Sequence, residues 1–407
     1  MRNQPSRIAR LELQNRVPGN SARRADLQLL AKAPDAYLDT THFDTVRFPP
    51  PSWAHETFAR AAKDGSLAYT PYRGNTAVLE TLGHSLSEFL GVDVDPQQHI
   101  ALTPGTQAAL FGTLAALVEK GERIALTDPD YLFNARILEF LGADIGYVPL
   151  RDSSTAPSLD LDALEDEFSS KHARIFLFSH PNNPTGYVYP IEVLEKIAEL
   201  VLRYDVTVVV DALYSRLIHK PHVYAHFVSF PNMQNRVVTL MGPSKTESLS
   251  GYRLGVVVGP SWLMPRLENV LSITSLRAPA YAQHLLSVWL REDQKWLAEL
   301  LPQFTALRKM TVDRFRQLPW LKVEPQAGTA YVWPDVSALG ASDVEVSQAL
   351  MKDAAVLVSP GYQFGIQGDG HFRVCYARDE RQWSAALDRM LDALNRLADK
   401  QGLTGAA

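Results

Sequence analysis

The stretch Arg236-Val237-Val238-Thr239-Leu240-Met241-Gly242-Pro243-Ser244-Lys245 runs an apolar strand straight into a lysine. Its β-branched core carries no polar alternation, the pattern of a strand covered on both faces. A lysine just past such a strand is unusual, because an unpaired buried ammonium is costly. Burial favours the neutral amine, the form a nucleophile needs. A lysine that snorkels to water is the plain alternative.

Working outward, similar strands are expected at His99–Thr103, Arg123–Thr127, Ile145–Leu150, Arg174–Ser179, Val206–Val210 and Leu254–Gly259. Helical spacing of apolar residues marks Thr76–Leu90 and Ile191–Tyr204 between them. The alternation predicts an α/β fold, a mostly parallel sheet sandwiched by helices. After about residue 280 the pattern changes. Long helical stretches (Gln283–Gln317 and Arg381–Lys400) flank strand-like runs at Leu321–Pro325, Thr329–Trp333 and Phe372–Tyr376. This reads as a smaller α+β domain. The expected division is an N-terminal arm and part of the small domain over 1–65, a large domain over 66–282, and an interdomain helix with the C-terminal small domain over 283–407.

Composition narrows the class. The 407 residues suit two cores. A formal net charge of -5 gives no reason to expect nucleic acid or an anionic membrane. The single cysteine, Cys375, excludes an internal disulfide and a thiolate metal cluster. No apolar run reaches the ~18 residues of a membrane span, and the start of the chain lacks a signal-peptide core. A cytoplasmic enzyme is expected. Arg2, Arg7, Arg10, Arg16, Arg23 and Arg24 mark residues 1–34 as a mobile or partner-draped arm.

In open α/β sheets, ligands bind beyond the carboxyl ends of the strands. Polar residues gather at those ends here. Thr103 precedes Pro104-Gly105-Thr106-Gln107 and a helix-like run, and such a turn offers free N–H groups to a phosphate. Ser179 leads into His180-Pro181-Asn182-Asn183-Pro184-Thr185-Gly186, Val210 into Asp211 with Tyr214 beyond, and Met241 into Ser244 and Lys245. Each alone has a bland reading as turn or cap. Together they form an anion-binding turn, an amide, a carboxylate, a phenol and an amine, the set that pyridoxal phosphate chemistry requires.

With these residues, the chain from about 66 to 380 resembles the class I/II aminotransferases, the fold type I pyridoxal-phosphate enzymes of the aspartate aminotransferase superfamily. The most specific piece is Ser244-Lys245 with Gly251-Tyr252-Arg253-Leu254-Gly255 after it. The Asn183-Pro184-Thr185-Gly186 box, Asp211 with Tyr214, and Arg373 in Phe372-Arg373-Val374 follow the family's order. The resemblance implies pyridoxal 5′-phosphate held by Lys245 as a Schiff base, with Lys245 then shuttling the substrate proton. Asp211 would pair with the ring nitrogen, Asn183 and Tyr214 with the ring's phenolic oxygen, and Tyr131 would stack on the ring. The turn at Gly105 with Thr106, Gln107, Ser244 and Arg253 would bind the phosphate. Tyr69 would reach the neighbouring subunit's phosphate in a homodimer with shared active sites. Arg373 would grip the α-carboxylate, and His42 and Arg277 are candidates for further substrate contacts.

Departures from the family pattern bear on the substrate. Gly242 replaces a common serine, so one phosphate contact is missing. Asp39-Thr40-Thr41-His42-Phe43 stands where a Gly-x-Pro segment usually shapes the pocket. The expected reaction is ping-pong transfer of an amino group from an α-amino acid to a 2-oxo acid. The alternatives are a lyase, cyclase or decarboxylase on the same fold, or a ligand sensor, for which residues 1–34 are too short to add a DNA-binding domain. His219, His222 and His226 lie close in sequence, but no carboxylate or cysteine joins them and no metal is expected.

Overall fold

A computed structural model describes residues 34, 36–64, 68–152 and 157–403. Nearly all of the arginine-rich stretch and the expected boundary at 65–66 lie outside these. The chain opens with β1 (Leu38–Asp39), α1 (Ser52–Lys63) and α2 (Thr76–Leu90). Strands and helices then alternate: β2 (Ile100–Thr103), α3 (Thr106–Leu117), β3 (Arg123–Asp128), α4 (Asn134–Leu141), β4 (Asp144–Asp152), β5 (Pro157–Leu159), α5 (Leu161–Ser169), β6 (Ile175–Ser179) and α6 (Ile191–Tyr204). The run closes with β7 (Thr207–Asp211), β8 (Val237–Met241), β9 (Gly255–Val258) and α7 (Met264–Thr274).

These strands form one eight-stranded sheet in the order β2-β9-β8-β7-β6-β3-β4-β5. Pairs β3–β4, β3–β6, β6–β7 and β7–β8 are parallel, while β9 is antiparallel to both neighbours and β5 to β4. Side chains alternate between faces along each strand. Phe176, Phe178, Val208 and Val210 therefore join one apolar cluster, with residues of α2 and α6. Their neighbours Ile175, Leu177 and Val209 join a second, with residues of α3 and α7. This two-sided burial explains the unbroken apolar strands. The expected strands match to within one or two residues at their ends, and both expected helices match throughout. Helix α2 begins where Asn75 Oδ1 accepts from the amides of Ala77 and Val78, and ends at Gly91 with φ 70°.

The remainder contains α8 (Ala280–Gln283), α9 (Gln294–Phe315), β10 (Tyr331–Val332), α10 (Asp343–Ala349), β11 (Val356–Leu357), β12 (Ser359–Pro360), β13 (Phe372–Cys375) and α11 (Glu380–Lys400). Strand β13 lies between β10 and β12, and β1 pairs with β11. A third apolar cluster gathers here around Phe304, Phe315, Phe372 and Trp383. Phe43 and Phe48 join it, whereas Ala54 of α1 packs into the cluster with α2.

Two sequence expectations need correction. The helix expected over Gln283–Gln317 is broken: α8 gives way to a 3-10 turn at His284–Ser287, and α9 starts only at Gln294. Leu290 takes a positive φ of 69°, which ends helical geometry. The strand expected over Leu321–Pro325 contributes only an isolated bridge from Lys322 to Asp335.

The break at residues 284–293 has a purpose in the packing. It delivers the buried carboxylate of Asp293 to Arg216, whose Nη1 and Nη2 donate to it at 2.6 and 2.9 Å. The same Nη1 also donates to Glu247. One buried guanidinium thus ties the segment after Tyr214, the segment after Lys245 and the start of α9. A second fastening joins the sheet to residues 361–371. Asp128, which ends β3, accepts the amides of Ile366 at 2.9 Å and Gln367 at 3.2 Å. Beside it, the amide of Asp130 donates to the Phe364 carbonyl at 2.9 Å. Removing one partner of a buried ion cluster leaves uncompensated charge, at a cost of about 3–5 kcal/mol. Arg216→Ala should lose stability of that order in urea titration; a loss below about 1 kcal/mol would show that the cluster does not hold these segments.

Candidate active site

The carboxyl ends of β2, β3, β6, β7 and β8 face a cavity of about 410 Å³, whose lining includes Thr106, Gln107, Tyr131, Asn183, Asp211, Tyr214, Ser244, Lys245, Arg253 and Arg373. Most of the residues singled out in the sequence therefore come together around one space. Gly105 stands just outside it, opening α3 with φ 90°. A Cβ there would sit 2.3 Å from Arg253 Nη2, so only glycine lets the guanidinium lie against the turn. The hydroxyls of Thr106 and Ser244 make only long contacts, 3.4 and 3.5 Å, with the carbonyls of Met241 and Leu254. A helix start, two weakly engaged hydroxyls, an amide and a guanidinium suit a phosphate. Gly242 also has a steric reason. A Cβ at that position would meet Thr106 Oγ1 and the Leu254 carbonyl, both at 2.9 Å, so the family's serine does not fit without a shift.

Asp211 ends β7 and is buried. Its Oδ1 accepts the amide of Leu213 at 3.1 Å. Burial pushes its carboxyl up to about 7, opposed by that amide, with Asp130 raising it further and Lys245 lowering it. A buried carboxyl held this way is completed by a cationic partner, which a protonated ring nitrogen would supply. Lys245 is half-buried, its Nζ 5.7 Å from the centre of the Phe43 ring. Tyr214 donates to the hydroxyl of Tyr331 at 3.1 Å, and burial holds its phenol well above the usual range. Tyr131 donates to Gln107 Oε1 at 3.0 Å.

Arg373 is the most heavily engaged side chain. Its Nη1 donates to Asn183 Oδ1 at 2.7 Å, and its Nη2 to the Thr41 carbonyl at 2.8 Å and to Ser359 Oγ at 3.4 Å. The guanidinium lies 4.0 Å from the Tyr331 ring centre and 4.8 Å from that of Phe364. Three of its five N–H groups are used, and Nε is buried without a partner. A buried donor left unpaired is costly, and Nε carries that cost among the described residues.

Behind the cavity, buried Asp130 organises the backbone. Its Oδ1 accepts from Ser179 Oγ, the Tyr131 amide and Asn134 Nδ2 at 2.5, 2.6 and 3.1 Å. Its Oδ2 accepts from Thr127 Oγ1 and the Ser179 amide at 2.6 and 3.0 Å. Ser179 Oγ in turn accepts the Asn183 amide at 3.1 Å. Sequence reasoning did not single out Asp130 or Ser179 for this; their place at strand ends was the available signal. It also missed Tyr331, Ser359 and the individual roles of Asp39 and Thr41 in the lining.

Three expected site residues lie elsewhere. His42 is 62% exposed, 3.2 Å from Thr41 Oγ1 and outside the cavity lining. Tyr69 is 78% exposed and also outside it. Arg277 donates through Nε to the Thr70 carbonyl at 2.5 Å, with its guanidinium over Tyr69 and Tyr72. His219 belongs to the core, its ring nitrogens 3.0 Å from Thr305 Oγ1 and 2.7 Å from Tyr376 Oη. No described helix is long and apolar enough to cross a membrane.

A mostly parallel central sheet flanked by helices is the fold of the fold type I aminotransferases. The chain belongs to the family described as aminotransferase class I and II, whose profile matches residues 39–390, and it is an aminotransferase. It is similar to an aspartate aminotransferase of Pyrococcus horikoshii, 27% identical over 85% of this chain and 88% of the relative. It is equally similar to an aromatic-amino-acid aminotransferase of Thermococcus litoralis, 27% identical over 84% of this chain and 88% of the relative. A solved aspartate aminotransferase from Rhodobacter sphaeroides superposes with a TM-score of 0.86 at 35% identity, covering 89% of this chain and 93% of that one.

The raised carboxyl of Asp211 generates a pH dependence. In protein stripped of cofactor, the folded state binds a proton that the unfolded chain releases near 3.8. The associated stability is full below that value and lost as pH rises toward about 7, by up to about 4 kcal/mol. Asp211→Asn keeps an acceptor for Leu213 and should flatten this fall, measured by urea unfolding from pH 4 to 7. An unchanged slope would contradict the assignment.

Proposed function

We propose that the protein moves the amino group of an α-amino acid to a 2-oxo acid in two successive half-reactions, with Lys245 holding pyridoxal 5′-phosphate. The strongest support is that Lys245, Asp211, Asn183 and Arg373 line a single cavity at the strand ends. When bound, the cofactor supplies an aldehyde that exchanges with amines and a cationic ring that draws electrons from the substrate's Cα.

The chain's own residues do the rest. Thr106, Gln107, Ser244, Arg253 and the start of α3 hold the phosphate. Asp211 keeps the ring nitrogen protonated. Asn183 and Tyr214 hydrogen-bond the phenolic oxygen, and Tyr131 covers the ring. Arg373 fixes the α-carboxylate, its guanidinium already oriented by Asn183, Thr41 and the two aromatic rings. With the carboxylate fixed, the Cα–H is presented to Lys245, whose Nζ takes the proton as general base and returns it as general acid. Tyr69, exposed and outside its own chain's cavity, serves a second copy in a cytoplasmic homodimer. In the division at 1–65, 66–282 and 283–407, the middle part carries the cofactor and the last carries Arg373, while Ala54, Leu285 and Trp289 pack with the sheet across those bounds.

Lys245→Ala protein mixed with pyridoxal phosphate should lack the yellow absorbance, retain no label after borohydride and lose turnover, while its circular dichroism is kept. Persistence of borohydride labelling would contradict the role of this lysine. Arg373→Lys should raise KM for the amino acid roughly ten- to a hundredfold, the worth of one charge-assisted hydrogen bond. A KM unchanged in that variant would remove Arg373 from substrate binding.

A further inference from the structure

The cavity contains one charged group that the reading above leaves without a task. Its lining holds three cations, Lys245, Arg253 and Arg373, and two carboxylates, Asp211 and Asp39. Cofactor and α-carboxylate account for all of these except Asp39. It lies on β1, where neighbouring side chains alternate between faces. Leu38 packs against the third apolar cluster, and Thr40 is fully buried with its Oγ1 on the Leu357 carbonyl. Asp39 and Thr41 face the other way, and both line the cavity. So does Leu357, which pairs with Asp39 in the β1–β11 register.

The two oxygens of Asp39 are unequally engaged. Oδ1 accepts the amide and hydroxyl of Thr41 at 2.8 and 2.7 Å. Among the described residues, Oδ2 has only the Nδ1 of exposed His42, at 3.5 Å. The Thr41 carbonyl beside it is held by Arg373, so Asp39 is fixed relative to the group that anchors the α-carboxylate.

Resting on the transamination reading, we propose that Asp39 sets side-chain specificity: the amino donor is an α-amino acid with a cationic side chain, paired to Asp39 Oδ2. An acidic side chain there would meet the like charge of Asp39, whereas a cationic one gains a charge-assisted hydrogen bond.

The test uses holoenzyme and reads bleaching of the yellow band in the first half-reaction with arginine, lysine, ornithine, alanine, aspartate and glutamate. The rate constant per molar substrate should be at least about tenfold higher for the best basic amino acid than for either acidic one. Asp39→Asn keeps an acceptor for Thr41 while removing the charge. It should lower the basic-to-acidic ratio by about tenfold or more without lowering Tm. An Asp39 that serves only the turn would leave the ratio unmoved and so overturn the proposal. Wild-type preference for aspartate or glutamate overturns it too, while bleaching itself upholds the transamination reading. If no amino acid bleaches the band, both fall together.

Discussion

Three stretches of chain far apart in sequence meet on the guanidinium of Arg373. Asn183 comes from the loop after β6, Thr41 from the N-terminal segment and Ser359 from β12. Tyr331 and Phe364 sandwich the group on its faces. An arginine buried to this degree is tolerated because its planar fork satisfies several acceptors at once and stacks on aromatic rings. The site cannot assemble without that convergence, since neither the eight-stranded sheet nor the C-terminal cluster alone supplies all five partners.

A second layer holds the cofactor side. Five donors converge on Asp130, and Ser179 relays its position to the Asn183 amide. Asp211, two strands over on β7, accepts one amide, and burial pushes its carboxyl up to about 7, against about 6 for the five-donor Asp130. Two buried carboxyls, one just past β3 and one ending β7 with β6 between them, thus differ in how many protein donors they receive. Desolvation raises both, and hydrogen bonds from the protein oppose it more strongly at Asp130.

Seven of the eight sheet strands were legible because they are apolar runs that end in turn residues, whereas the three-residue edge strand β5 was not. Lys245, Asp211 and Asn183 were legible for the same reason, as polar groups placed where apolar strands stop. The C-terminal part was less so. Its strands are two to four residues long, too short for a period to register. The break before α9 depends on Asp293 meeting Arg216, a contact 77 residues away that no local pattern announces. Tyr331 read as one more core aromatic, because only its stacking on Arg373 distinguishes it. Asp39 lay within a segment noted as unusual, yet which of its side chains faced the cavity depended on the pairing of β1 with β11.

The carboxylate of Asp128 has a mechanical corollary. It grips two consecutive amides of the segment that carries Phe364, and the neighbouring Asp130 amide grips the Phe364 carbonyl. Gly365 passes so close that a Cβ would overlap Asp128 Oδ1. Residues 361–371 therefore travel with the sheet as one stiff rim. The β1 segment is fastened separately, its Thr40 amide and hydroxyl donating to the Leu357 carbonyl and its Asp39 and His42 carbonyls accepting from buried Arg378.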